Sequence, residues 1–351
     1  MTRLMIYGAN GYTGRLIARE AVTRGLKPLL AGRNRDQLDA LAKELNLSRR
    51  VFDLANSVDV ARNLDGVDIV LHCAGPFSQT AEPMLNACLD LNVHYLDITG
   101  EIDVFALCHR AHARAKHQGV VVLPGSGFDV VPTDCTAAML KQRMPDATSL
   151  VLAFEAGGGP SPGTAKTSVE GLRSGGRARI AGEVTPVPLA WKTRDFMRDG
   201  KARSAMTIPW GDVYTAYVST GIPNIETYMV LPPKTIARMR WLRHMQPLFK
   251  LGVVQNFMKS RVGPGPSEQR RADSGCHVWG EVRNAAGKEA KLQLVTPNGY
   301  DITVTASLGI AQHLLQRGRF APGDGGYFTP SQLMGADYVL KLPGVRLLAG
   351  A

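Results

Sequence analysis

A doubly wound parallel α/β sheet, with a second domain of α+β type built on a mostly antiparallel sheet, is the fold predicted by this 351-residue sequence. Three observations predict it. A short apolar run at the N-terminus leads into glycines at 8, 11 and 14 and then into a helical pattern. Strand and helix patterns alternate from there to about residue 125, as repeated βαβ units do. Beyond that point hairpins replace the alternation.

Taken in order, Leu4-Met5-Ile6-Tyr7 suits a strand buried on both faces. The helix after it carries Leu16, Ile17, Ala21 and Val22 on one face and stops at Gly25. Residues 28–32 form the second strand, and Leu38, Leu41, Ala42 and Leu45 mark the next helix. A short third strand covers 50–53, a helix 58–64, and a fourth strand 67–74. Gly75-Pro76-Phe77 breaks the chain before a helix with Pro83 in its first turn. Strand five spans 93–98, a helix 103–117, and strand six 119–123. Farther on, 150–155, 224–231 and 301–305 read as strands, and 276–283 with 291–295 as a hairpin. Residues 164–172, 307–316 and 329–342 read as helices. The last of these is expected to return to the first sheet, which gives residues 1–125 and 325–351 as the first domain and 126–324 as the second.

Composition narrows the class. Hydrophobic residues make up 44% of the chain and mean hydropathy is −0.08, as in a globular enzyme. No stretch approaches the roughly 20 apolar residues of a membrane span. The first apolar run is too short for a signal peptide. The 5 cysteines form no C-x-x-C pair and no ligand spacing with the 8 histidines. Reduced thiols in a cytoplasmic protein are therefore expected, and no metal. A net charge of +11 points either to an anionic ligand or partner or to a solvated basic surface. Nucleic acid is not among the expected partners, and a homodimer stays open.

The glycine turn carries the first chemical reading. Between a strand and a helix it bares backbone N–H groups and a helix N-terminus where a pyrophosphate can sit. Gly8, Asn10, Gly11, Tyr12, Thr13 and Gly14 are thus expected to cradle a dinucleotide, although the spacing is G-x-x-G-x-x-G rather than G-x-G-x-x-G. The end of strand two decides which one. An NAD site places a carboxylate there to grip the ribose hydroxyls. Here the chain reads Gly32-Arg33-Asn34-Arg35, with no carboxylate before Asp36. A carboxylate repels a 2′-phosphate, whereas a guanidinium binds it through charge-assisted hydrogen bonds. NADP is the expected cofactor, with Arg33 and Arg35 on its 2′-phosphate; a solvated loop is the plainer alternative. Asp53 is placed to reach the adenine. Ala74, Gly75, Pro76 and Phe77, after strand four, are placed to line the nicotinamide.

Three further motifs carry a resemblance: Gly75-Pro76-Phe77, then Tyr95-Leu96-Asp97-Ile98-Thr99-Gly100-Glu101, then Gly127-Phe128-Asp129-Val130-Val131-Pro132-Thr133-Asp134. With Gly163-Thr164, Ser168 and Gly325-Gly326-Tyr327-Phe328-Thr329-Pro330, they resemble the saccharopine dehydrogenase-like oxidoreductase family, and within it the trans-acting enoyl reductase branch. The resemblance implies an NADP-linked reductase with an N-terminal Rossmann domain and an inserted substrate domain. That family includes members acting on amino-acid imines and others on carrier-bound enoyl chains, so the substrate does not transfer with the fold.

A reductase needs a hydride, a dry pocket and a proton donor at the atom that becomes negative. Tyr95, Asp97 and Thr99 share one side of strand five by the two-residue period. Tyr95, Asp129 and Lys166 are the catalytic candidates, and Thr99, Glu101 and Thr164 are the substrate-contacting ones. Asp97 and Asp129 also suit a capping or loop-holding role. Residues 234–261 combine 7 Lys or Arg with interspersed Trp241, Leu248 and Phe249, and no Asp or Glu falls between Glu226 and Glu268. Such a stretch can rest on an acidic carrier protein or an anionic membrane surface, or simply pack on the second domain. The leading reading is NADPH-dependent C=C reduction of a lipid-like or carrier-bound enoyl substrate. C=N reduction on an amino acid remains open, because Arg173, Arg177 and Arg179 could converge on a dicarboxylate. A non-catalytic dinucleotide-binding protein docking on a membrane or partner is the other class.

Overall fold

The computed structural model describes residues 3–157, 159, 175–245, 267, 269, 273–318 and 320–348. Thr164, Lys166, Ser168, Arg173, the helix expected over 164–172 and residues 246–261 of the basic stretch lie outside them. The chain divides into two compact units, one of residues 1–131 and 300–334, the other of 132–299 and 335–351.

The first unit is built on a wholly parallel sheet of seven strands: β1 (Leu4–Tyr7), β2 (Leu29–Gly32), β3 (Arg49–Val51), β4 (Ile69–His72), β5 (His94–Asp97), β6 (Val121–Leu123) and β15 (Gly326–Tyr327). Their spatial order is β15-β6-β5-β4-β1-β2-β3. The order reverses at β1, so the crevice that accepts ligands in doubly wound folds opens at the carboxyl ends of β1 and β4. Every residue of β1, β2, β4, β5 and β6 is buried, which is why all but β5, where His94 and Asp97 are buried too, read as mostly apolar runs rather than alternating ones. Helices α1 (Tyr12–Thr23), α2 (Arg35–Leu45), α3 (Ser57–Asn63), α4 (Phe77–Asp90), α5 (Ile102–Arg110) and α6 (His112–Gln118) connect them. The expected helix over 103–117 is thus two helices, broken at Ala111, and Pro83 lies mid-helix in α4 rather than in its first turn.

Two C-terminal expectations are corrected. Residues 301–305, read as a strand from their β-branched alternation, begin the 19-residue helix Gly299–Arg317. From residue 300 onward that helix belongs to the first unit, where the sequence reading had extended the second domain to 324. Its Thr305 hydroxyl donates to the Asp301 carbonyl 2.9 Å away, so threonines that favour strands alone are satisfied within the helix. Residues 329–342 do not form one helix. A short turn, Pro330–Met334, ends at Gly335, whose φ of +94° no helix accommodates, and a 3₁₀ turn follows at Tyr338–Lys341. Residues 335–351 join the second unit through β16 (Arg346–Leu347).

The second unit is a nine-stranded mixed sheet. The long central strands β7 (Ala147–Ala156), β13 (Gly275–Asn284) and β14 (Glu289–Pro297) pair antiparallel, and among the described residues only β7 with β12 (Asn224–Val230) runs parallel. The expected hairpin over 276–295 is the β13–β14 pair. Two further hairpins, Gly176–Ile180 with Glu183–Val187 and Thr193–Arg198 with Lys201–Thr207, do not read as strands, the first pair because of its arginines and Pro186 and the second because of its charges. Phe196, Tyr228 and Trp279 pack with Ala153 and Ala205 into one buried cluster.

Candidate functional site: the carboxyl edge of the parallel sheet

At the end of β1 the chain turns on itself. Gly8 and Ala9 donate to the Ala31 carbonyl at 2.8 and 3.1 Å, and the Gly11 N–H donates to the Gly8 carbonyl at 2.9 Å. Gly8 has φ +82°, and a Cβ there would lie 2.8 Å from Ala74. A Cβ on Gly14 would lie 2.2 Å from the Gly8 carbonyl oxygen. These glycines therefore let α1 start directly against β1 and the loop after β4. Gly11 caps α1 without a side-chain hydrogen bond, and no acidic residue stands in the first turn. A helix N-terminus presented this way, with only backbone and no Cβ in front of it, fits a phosphate. Around it, Asn10 donates to the Gln37 side chain at 2.9 Å, and Tyr12 packs edge-on against Tyr300 at 5.0 Å.

Arg33 and Arg35 are both exposed where β2 ends. Asn34 between them caps α2 by accepting from the Gln37 N–H at 3.0 Å, which fixes the start of that helix. Arg33 lies near enough to Tyr7 to ease the deprotonation of its phenol, while burial and Asp53 push the Tyr7 pKa up to about 12. Asp53 is also exposed, and it accepts from the Ala55 N–H at 2.8 Å.

The other half of the edge is built differently. Tyr95 is fully buried and its hydroxyl donates to Asp97 at 2.7 Å. The other Asp97 oxygen accepts from the Thr99 and Gly125 N–H groups at 3.0 and 2.8 Å. Burial holds the Asp97 pKa up at about 6, against the pull of those donors. Thr99 is buried too, and accepts from the Glu101 N–H at 3.1 Å. The two Glu101 oxygens accept from the Phe77 and Ser78 N–H groups at 3.0 and 2.8 Å, capping α4 from another loop. The expected side-sharing of Tyr95 and Asp97 is therefore real, but it points into the protein. A residue with no exposed surface cannot touch a substrate, so Tyr95 as catalyst and Thr99 as substrate contact give way to roles in this network. Glu101, offered as a substrate contact, is engaged as a helix cap. A sequence signal for that role exists: α4 follows Pro76, which has no side-chain acceptor, so its cap has to come from elsewhere.

Ala74, Gly75, Pro76 and Phe77 form the β4–α4 loop as expected. Thr80 ties it from the α4 side by donating to the Ala74 and Pro76 carbonyls at 2.7 and 3.1 Å. His72, which sequence reading did not single out, lies beneath the loop with its ring 5.2 Å from Phe77; burial pushes its pKa down to about 3, leaving it neutral. Asp129 follows β6 and is only partly buried, with its carboxylate 2.8 Å from where a Gly100 Cβ would stand. Burial raises its pKa to about 7.

Residues 4–123 match the family model described as the saccharopine dehydrogenase NADP binding domain. That stretch, about a third of the chain, is similar to the domain. Its cofactor class is a nicotinamide dinucleotide, and the glycine cradle above has the geometry for one. The human saccharopine dehydrogenase-like oxidoreductase is 27% identical over 215 residues, covering 53% of this chain and 50% of that protein. A trans-acting enoyl reductase of Mycobacterium ulcerans is 26% identical over 191 residues, 49% of this chain and 44% of that one. The chain thus spans about half the length of the curated relatives it matches. Apo saccharopine dehydrogenase (L-Glu forming) from Saccharomyces cerevisiae superposes with a TM-score of 0.66 at 10% identity, over 99% of this chain and 100% of that one. The likeness at that identity is one of fold.

The described part of the basic stretch is the helix Pro233–Leu242 and a 3₁₀ turn at Arg243–Met245, with Ile236 buried and Lys234, Arg238, Arg240 and Trp241 exposed. Among the described residues no helix is long and apolar enough to cross a membrane, and no cluster of His, Cys, Asp or Glu could hold a metal ion.

Proposed function

We propose that this chain is an NADP-dependent oxidoreductase that reduces a C=C bond of a lipid-like or carrier-bound enoyl substrate. The observation that carries the cofactor reading is the pairing of an open glycine-cradled helix N-terminus with a second strand that ends in exposed Arg33 and Arg35 and no carboxylate. Gly8, Asn10, Gly11, Tyr12, Thr13 and Gly14 hold the pyrophosphate, Arg33 and Arg35 the 2′-phosphate. Asp53 faces the adenine side, and Ala74 to Phe77 the nicotinamide side. The cofactor, when bound, supplies the hydride. The chain's own contribution is orientation and a proton. Asp129 is the candidate donor among the described residues, since it is partly exposed and burial raises its pKa to about 7; Lys166, the other candidate, lies outside them.

The substrate class rests on two supports. One is the similarity to proteins named trans-acting enoyl reductase. The other is Arg179, one of the three arginines, with Arg177 and with Arg173 outside the described residues, that amino-dicarboxylate chemistry would call on. It is buried, donates to the Val213 and Gly182 carbonyls, and stacks on Tyr217 at 4.1 Å, so it is committed to the fold. A screen of NADPH consumption against enoyl thioesters, and against 2-oxo acids with amines, tests this reading. Turnover of an enoyl thioester is expected; turnover only with an oxo acid and amine would move the chain to C=N chemistry.

A further inference from the structure

We propose that Glu101 is a positioning residue for the nicotinamide half of the dinucleotide, acting through the β4–α4 loop. The inference rests on the dinucleotide reading above. Two helix N-termini meet the carboxyl edge beside the switch point, those of α1 and α4, and each bares N–H groups that attract an anion. At α1 the cap residue is Gly11, which has no side chain to offer them. At α4 the protein supplies its own anion: both oxygens of Glu101, 24 and 23 residues away in sequence, accept from Phe77 and Ser78. The open terminus is left for the pyrophosphate, and the filled one becomes a fixed wall.

Glu101 is itself held in place. Its N–H is bound by Thr99, the Thr99 N–H by Asp97, and Asp97 gathers Gly125 and Tyr95 as well. Ser126 donates through both its N–H and its hydroxyl to the Asp97 carbonyl at 2.7 Å. Two carboxylates therefore lock the loops after β4, β5 and β6 to one another. In a doubly wound sheet each half binds one nucleotide, and with the 2′-phosphate read at the end of β2, the nicotinamide nucleotide falls over β4–β6. The exposed Gly75 and the flanking Pro76 are the surface this brace presents to it.

The test compares two ligands that share the adenine end. NADPH carries the nicotinamide; adenosine 2′,5′-bisphosphate lacks it. Glu101→Ala, which frees the Phe77 and Ser78 N–H groups and loosens the loop, is expected to weaken NADPH by about tenfold and to leave the bisphosphate within about twofold. Glu101→Gln, which keeps an acceptor, should recover part of the loss, and it serves as the deciding variant should Glu101→Ala not fold. Equal weakening of both ligands would show general damage and overturn the positioning role, as would unchanged NADPH affinity. A wild-type chain that binds neither ligand would instead overturn the dinucleotide reading, and this inference with it.

Discussion

The two halves of the parallel sheet's edge solve the same problem by opposite means. Over β1–β3 the groups that face a ligand are exposed: Arg33, Arg35 and Asp53 stand in solvent, and the turn itself is bare backbone. Over β4–β6 the polar groups are turned inward, and Asp97, Thr99 and Tyr95 have no exposed surface at all. The first half can choose between ligands, because its charges are free to meet a phosphate. The second mainly holds geometry, because Asp97 and Glu101 are engaged by the protein; Asp129, partly exposed, is its exception. Under the proposed function, cofactor choice belongs to the first half and the placement of the reacting ring to the second.

The comparison breaks hardest at Asp97. Asp97→Ala strands the Tyr95 hydroxyl and two backbone N–H groups in the core, and should cost on the order of 4 kcal/mol in urea unfolding, since one buried unsatisfied group alone costs about 1–3 kcal/mol. Gly14→Ala drives a Cβ into the Gly8 carbonyl and should cost about 3 kcal/mol by overpacking, with NADPH binding lost in parallel. Arg33→Ala acts on the exposed half only. It should weaken NADPH by about 2 kcal/mol, the worth of a hydrogen bond to a charged group, while leaving NADH affinity and unfolding unchanged.

A further effect is in pH. Asp129 and Asp97 hold pKa values of about 7 and about 6, above the ordinary 3.8 of an aspartate in the unfolded chain. Between those limits the folded state binds more protons, so stability should fall as pH rises from about 4 to about 7. Asp129→Asn should flatten the upper part of that slope in unfolding measured across pH. An unchanged slope would remove Asp129 as a group that keeps its proton near neutrality, and with it the proton-donor reading.

Sequence reading reached far into the exposed half and stopped at the buried one. The glycine turn, the six strands up to residue 123 and the Arg33–Arg35 ending are local facts, each carried by a few neighbouring residues. Tyr95, Asp97 and Thr99 are also legible as a group, because their two-residue spacing is local, and Glu101 follows at the strand end. What they do was not legible, since the partners that decide it are Gly125 and Phe77, more than twenty residues away in sequence. The helix over 301–305 was missed for a related reason: its β-branched residues prefer strands, and tertiary packing overrode that preference, with the Thr303 hydroxyl accepting from the Phe128 N–H at 3.0 Å. Charged hairpins such as Thr193–Arg198 with Lys201–Thr207 gave no alternating pattern to read.

The central claim is that an arginine-ended second strand makes this edge an NADP site. Dissociation constants of the wild-type chain for NADPH and NADH, measured side by side at one ionic strength, test it most directly. The account predicts that NADPH binds at least about tenfold more tightly, the margin of one charge-assisted contact to the 2′-phosphate. Equal affinities, or tighter binding of NADH, would contradict it.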